Sequence, residues 1–256
     1  MSIPKKIHYC WFGGNPLPKS VVKCIGSWKK YCPDYEIIEW NESNFDINCN
    51  DFCRAMSEQK KWAFLTDYVR LKIIYENGGV YLDTDVQIIK SLEPLLKDGA
   101  YMGEENTGLV ATGLGFAAEA GHPLIKKNME YYEQLNNLSD IRSCPWITTE
   151  ILEAYGYKKG EQIIQQLPGL KVYPEEYLCP KNERTGLTRV TKNTYSIHHF
   201  DASWFEESWK QGKRKRWREA KIHYILHIPN RILIALFGQE IYDKIKNTIK
   251  KRERKK

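Results

Sequence analysis

Apolar and polar positions alternate from the start of the chain. Ile7, Tyr9 and Trp11 interleave with His8, Cys10 and Phe12, which predicts a buried strand over residues 3–12. Gly13-Gly14-Asn15-Pro16 breaks it. Val21, Val22, Ile25 and Trp28 then repeat at helical spacing, with Ser20 as the expected N-cap of a helix ending about residue 30. A second short strand is predicted over 35–40, so the opening reads as a βαβ unit with a parallel sheet. The clearest helix spans 59–77, with Trp62, Leu65, Val69 and Ile73 on its apolar face and Asn77-Gly78-Gly79 as its stop. A strand over 80–89 follows, apolar at first and then interrupted by two carboxylates. Later signals are a helix after Pro123, another over 148–155, and strands near 170–173 and 195–200. No internal repeat is present.

The composition fits an ordinary globular α/β chain of 256 residues, 42% hydrophobic and 28% charged. Its charge is uneven. Residues 1–204 hold 23 Lys and Arg against 26 Asp and Glu, whereas residues 205–256 hold 16 against 6. The expected organisation is therefore a catalytic body over 1–204 and a basic amphipathic helical region over 205–256. The N-terminus is polar with no apolar stretch of a secretory signal behind it, and no segment is long and apolar enough to span a bilayer. Seven scattered cysteines, with no zinc spacing, read as reduced thiols. Phosphate-loop, dinucleotide-binding and serine-nucleophile motifs are absent from the sequence.

Three segments could carry chemistry. In Gly78-Gly79-Val80-Tyr81-Leu82-Asp83-Thr84-Asp85, carboxylates at i and i+2 past a strand end can share one divalent ion. Such an ion can bridge a diphosphate and neutralise it as it leaves. In Phe64-Leu65-Thr66-Asp67-Tyr68-Val69-Arg70, Asp67 and Arg70 lie three apart on one helical face, inside an apolar run. An Asp there can accept from sugar hydroxyls, and an Arg can donate in a fork to sugar or phosphate oxygens. In Ser196-Ile197-His198-His199-Phe200-Asp201-Ala202-Ser203-Trp204, one imidazole of the adjacent pair can complete the ligand set, and the Trp204 indole can donate to a phosphate oxygen. Trp11, at the end of the first strand, could present its ring to a nucleobase.

Taken in order, I-P-K-K-I-H-Y-C-W-F-G-G, A-F-L-T-D-Y-V-R-L, Y-E-N-G-G-V-Y-L-D-T-D and H-H-F-D-A-S-W resemble the DXD-motif sugar transferases of glycosyltransferase family 32. That group includes bacterial capsular polysaccharide transferases and yeast mannosyltransferases, and it is related to the glucosylating domain of clostridial toxins. The resemblance covers residues 3–204. It implies a GT-A fold and a retaining transfer of a hexose from a nucleotide sugar, UDP-linked in preference to GDP-linked, with Mn²⁺ or Mg²⁺. Trp11 would flank the base and Tyr81 would help wall the donor pocket. Asp67 and Arg70 would contact ribose and sugar. Asp83, Asp85 and His198 (or His199) would hold the metal, and Ser203 and Trp204 the diphosphate. The segment Cys144-Pro145-Trp146-Ile147-Thr148-Thr149 resembles a stretch near the family's active site, with Cys144 where Gly is commoner.

The acceptor expected is a glycan, pictured as a lipid-linked oligosaccharide in surface polysaccharide synthesis. The basic region suits an anionic membrane surface, which would place the enzyme at the cytoplasmic face of the cell membrane; no nucleic-acid motif accompanies its charge. The competing readings are a toxin-like effector that glycosylates a protein side chain and a non-catalytic sugar-nucleotide binder.

Overall fold

The computed structural model describes residues 2–135, 141–201 and 207–253. By its internal contacts the chain divides into two compact units. One is Met1–Asn182 with Thr188–Trp204, the other Glu183–Leu187 with Phe205–Lys256.

The first unit opens with β1 (Lys6–Cys10), α1 (Lys19–Tyr31) and β2 (Glu36–Trp40). β1 and β2 pair in parallel, Ile7 opposite Ile37, as a βαβ unit requires. The helix α1 begins one residue before Ser20. Pro18 is its N-cap, with extended backbone, and its carbonyl accepts from Val22 N at 3.1 Å. Next come α2 (Asp51–Glu58), α3 (Trp62–Asn77), β3 (Gly79–Tyr81), β4 (Val86–Ile88), α4 (Glu93–Leu96) and β5 (Ala100–Gly103). A 3₁₀ turn (Thr112–Leu114) leads to β6 (Phe116–Ala118), α5 (Pro123–Glu133) and α6 (Cys144–Glu153), which starts four residues earlier than expected. β7 (Gln165–Leu167), β8 (Leu170–Tyr173), α7 (Glu175–Leu178) and β9 (Ser196–His198) complete this unit.

Seven strands form one mixed sheet in the order β2-β1-β3-β6-β5-β8-β7. The α/β class read from the sequence is the class observed. β6 is antiparallel to both β3 and β5, and β5 is parallel to β8. Hence β1, β2, β3, β5 and β8 all run the same way and end on one edge of the sheet. Ligands gather at that edge in open α/β sheets.

The central strands of the sheet feed two cores. Tyr81 and Met102 join Leu65, Val69, Ile73 and Ile147 on one face. Val80, Leu82 and Tyr101 join Trp28, Val86, Ile88 and Leu178 on the other. Burial on both faces explains why these strands read as nearly continuous apolar runs.

The expected single strand over 80–89 is two strands in two sheets. Leu82 N still bonds to His8 O at 3.0 Å, and the chain then turns, with Val86 N on Asp83 O at 3.0 Å. β4 leaves to pair with β9, Val86 opposite His198. Trp28 Nε1 donates to Val86 O at 2.7 Å, and Ile88 N donates to Ser27 Oγ at 3.0 Å. The helix α1 thus captures β4, which pulls the two aspartates out of strand geometry and into a turn.

The second unit contains α8 (Glu207–Leu226) and α9 (Ile228–Glu253), the latter interrupted at Gly238, where φ is 79°. Lys213 Nζ lies 5.0 Å from the Trp209 ring and 4.8 Å from that of Trp217. The Trp217 indole donates to Glu183 O at 2.7 Å. Among the described residues, no helix is long and apolar enough to cross a membrane.

Candidate active site

The corner between α3 and β3 sets the geometry. Gly78 and Gly79 have φ of 64° and 107°, conformations that favour glycine. Space demands it too: a Cβ on Gly79 would sit 2.9 Å from Lys6 O and 3.0 Å from His8 Nε2. This tight corner brings the last turns of α3 against the strand that carries the aspartates.

Arg70, on α3, is the hub. Its side chain is 6% exposed. Nη2 lies 3.2 Å from Asp67 Oδ1 and 3.3 Å from Asp83 Oδ1. Nε donates to Thr66 O at 2.9 Å, Nη1 reaches Thr112 Oγ1 at 3.5 Å, and the guanidinium stacks 5.2 Å above the Tyr81 ring. The expected i,i+3 pair exists, but Arg70 is shared with Asp83, so it holds two carboxylates rather than one.

Asp85 has a different set of partners. His198 Nε2 is 3.1 Å from its Oδ1, and the Asp201 amide donates to its Oδ2 at 2.8 Å. His199 faces away, with its amide on Asp85 O at 3.0 Å and its ring on Gln87 Oε1 at 3.0 Å. Adjacent residues at a strand end point to opposite sides, so only His198 turns to the aspartates. Ligand atoms of Asp83, Asp85 and His198 all lie within 4.8 Å of one another. Two carboxylate oxygens and an imidazole nitrogen form a donor set that fits a hard or borderline divalent cation.

The protonation pattern separates the carboxylates. Burial pushes Asp67 up to about 7, with Arg70 opposing and Asp83 reinforcing the shift. Burial also raises Asp83, against the pull of Arg70. Burial would raise Asp85 as well, but His198 and the Asp201 amide hold it well below the usual carboxylate range. Burial opposes charge on His198, yet Asp85 raises its imidazole well above the ordinary histidine range, and a cation bound beside it would have to displace that proton.

Of the two aromatic residues expected at the site, Tyr81 touches this cluster. Trp11 follows β1, is half-buried, and donates from Nε1 to Asn15 O at 2.5 Å. Tyr81, 1% exposed, packs on Phe116, and its hydroxyl donates to Asp83 Oδ1 at 3.1 Å. Its hydroxyl thus reaches Asp83 from a buried ring. Ser203 and Trp204 lie outside the described residues.

Several participants escaped the sequence reading. A Cβ on Gly113 would collide with the Asp83 carboxylate and sit 3.0 Å from Arg70 Nη1. The 3₁₀ turn closes over the pair because that residue has no side chain. For this turn the one sequence signal was Thr112-Gly113-Leu114-Gly115, two glycines in an apolar run. Its partner Cys144 belongs to the segment that the family resemblance had placed near the site: the thiol contacts Thr112 Oγ1 at 3.0 Å, which puts the N-terminus of α6 beside Arg70.

Comparison with known proteins gives this geometry a context. Residues 18–101 match the family described as "Glycosyltransferase sugar-binding region containing DXD motif", and Asp67, Arg70, Asp83 and Asp85 lie within the matched stretch. Over 129 residues it is 33% identical to "Inositol phosphoceramide mannosyltransferase 3" of Schizosaccharomyces pombe, a match covering 48% of this chain and 35% of that protein. Over 111 residues it is 27% identical to "Subversion of eukaryotic traffic protein A" of Legionella pneumophila, covering 33% and 17%. The matched stretch thus spans about a third or less of these relatives. Among solved structures, "PaToxG Glycosyltransferase" is similar at a TM-score of 0.46 and 19% identity, over 59% of this chain and 69% of that one.

Proposed function

Starting from the DXD-containing glycosyltransferase sugar-binding region over residues 18–101, we propose that this chain transfers a hexose from a nucleotide sugar to a glycan acceptor, with retention at the anomeric carbon. UDP is the favoured nucleotide over GDP. The observation that carries the proposal is the convergence of Asp83, Asp85 and His198 within 4.8 Å, beside the pair of the buried Arg70 with Asp67.

Asp83, Asp85 and His198 would hold Mn²⁺ or Mg²⁺, which when bound offsets the charge that develops on a departing diphosphate. The protein's own groups do the rest. Arg70 fixes Asp67 and Asp83 and places a guanidinium fork where sugar or phosphate oxygens can receive it. Asp67, neutral or charged near pH 7, is suited to exchange hydrogen bonds with sugar hydroxyls. Tyr81 and the Asp201 amide orient Asp83 and Asp85. Trp11 would flank the base, and Ser203 and Trp204 would hold the diphosphate.

Both motif carboxylates are tied up by these contacts and are poor candidates for an acid/base pair. Hydrolases instead set two free carboxyls across the scissile bond. The acceptor hydroxyl proton would then pass to an oxygen of the leaving diphosphate, on the face where the new bond forms.

The acceptor in this reading is lipid-linked, and residues 205–256 bind the anionic inner face of the cell membrane. Their charge and the exposed Ile222, Ile225, Leu226, Ile232 and Leu236 support that part of it. The test is a thermal-shift screen of UDP- and GDP-sugars with and without Mn²⁺. A cation-dependent rise in Tm that Asp85→Ala removes is expected; a nucleotide-sugar response unchanged by Asp85→Ala would overturn the assignment.

A further inference from the structure

A second place on the molecule has sugar-binding chemistry without a task. It lies at the end of β8, and so on the same sheet edge as the Asp83–Asp85 turn. A cavity of about 260 Å³ there is lined by Gln162, Pro174, Glu175, Glu176, Arg189 and Thr191. All of these residues belong to the first unit.

Its polar groups are arranged in two ways. Glu176 is preset: its carboxylate accepts from Thr191 Oγ1 at 2.9 Å and Asn193 Nδ2 at 2.8 Å. That fixes the direction of its remaining lone pairs. Glu175 is the opposite case. It is half-buried, and among the described residues no side chain donates to its carboxylate. Burial pushes its carboxyl up, with Arg189 opposing. A partly desolvated acceptor without a donor is costly, and a ligand hydroxyl would relieve that cost. Arg189 is exposed and close enough to act electrostatically on both carboxylates, yet pairs closely with neither. Its guanidinium is available to donate. Buried Pro174 and Pro180 supply an apolar wall.

We infer that this cavity is a carbohydrate subsite, which seats a sugar of the glycan acceptor away from the reacting hydroxyl. The inference rests on the glycosyltransferase reading for its role, though not for its ligand chemistry. Two carboxylates beside one guanidinium disfavour a phosphate, and Arg189 disfavours a cation. A neutral polyhydroxylated ligand satisfies all three, since vicinal hydroxyls donate to Glu175 and Glu176 while a ring or hydroxyl oxygen accepts from Arg189. The proline wall suits the apolar C–H face of a sugar ring.

Its position fits an acceptor. The short helix α7 carries Glu175 and Glu176 at its start and meets β9 along the rest of its length. Tyr195 N bonds to Tyr177 O at 2.7 Å, and Ser196 Oγ to Leu178 O at 3.2 Å. Cys179, just after α7, interacts with His198. One short element therefore links the cavity to the DXD cluster, and a chain of sugars could span the two.

The test uses the full-length protein, a glycan array of neutral and acidic oligosaccharides, and nucleotide-sugar thermal shift in parallel. Wild-type protein should bind neutral glycans without donor. The double variant Glu175→Gln with Arg189→Ala should lose about tenfold or more of that binding while keeping the nucleotide-sugar shift. Asp85→Ala should show the reverse. Equal glycan binding by wild type and the double variant overturns the subsite, as does absence of glycan binding from a wild-type protein that still responds to donor. Glutamate- and arginine-dependent glycan binding with no donor response supports the subsite and counts against the glycosyltransferase reading alone.

Discussion

At the scale of residues, the site is an exercise in sharing charge. The buried Arg70 offsets two half-buried carboxylates at 3.2 and 3.3 Å. Removing one partner of such a group leaves uncompensated charge in a low-dielectric interior, which costs about 3–5 kcal/mol. Arg70→Ala should therefore lower unfolding stability by about that amount, read from urea midpoints, as well as weakening donor response. A decrease under about 1 kcal/mol, within the range of an exposed pair, would show that the guanidinium is better solvated than its burial indicates. The i,i+3 spacing of Asp67 and Arg70 was legible because helical periodicity is a local rule. The second partner was not, since Asp83 meets Arg70 only through the α3–β3 corner. His198 and His199 were likewise inseparable by sequence; the β4–β9 pairing, with Val86 opposite His198, decides which ring turns toward Asp85.

Among the elements, the α3–β3 corner also buries a titratable group. His8 is 0% exposed, with Nε2 on Gly78 O at 3.0 Å and Nδ1 accepting from Trp40 Nε1 at 3.0 Å. Burial pushes its imidazole down to about 4, against the Gly78 hydrogen bond. The native ring stays neutral, while in the unfolded chain it protonates below about 6.5. The unfolded state thus binds more protons in that window, so stability falls as pH drops from about 6.5 to 4, by on the order of 3 kcal/mol. Urea unfolding at several pH values should show that decline, and His8→Gln should flatten it; an identical decline in the variant would place its origin elsewhere. Strand and helix identities in this region were readable from alternation and the Gly-Gly stop. The break of one expected strand into β3 and β4 was not, because its cause is tertiary: Trp28 and Ser27 of α1 bind the β4 backbone.

For the molecule as a whole, charge and apolar exposure concentrate in the second unit. Residues 205–256 hold 16 Lys and Arg against 6 Asp and Glu. Leu226 and Leu236 are each 69% exposed on helices there. Basic residues near an anionic surface each contribute about 1 kcal/mol, and salt screens that attraction. The full chain should co-sediment with vesicles rich in anionic lipid, release progressively as salt rises, and ignore neutral vesicles. Binding to neutral vesicles as strong as to anionic ones would refute the electrostatic part of the proposal. The compositional shift near residue 205 was plain in the sequence. The inclusion of Glu183–Leu187 in the second unit was not, because it depends on contacts such as Trp217 with Glu183.

The contact between Asp85 and the Asp201 amide joins residues 116 apart in the chain. A ribosome makes the polypeptide from its N-terminus, so the turn bearing Asp83 and Asp85 emerges long before its partners. At about 5–20 residues per second, that delay lasts on the order of ten seconds. During it, every strand of the large sheet can be translated while β9 is still missing and β4 has no partner. A nascent or truncated chain would therefore display the motif aspartates without His198, and the three-residue cluster proposed to hold a cation would be complete only after β9 has been made. Under the proposed function, chains that stop short of β9 would give no cation-dependent response to a nucleotide sugar.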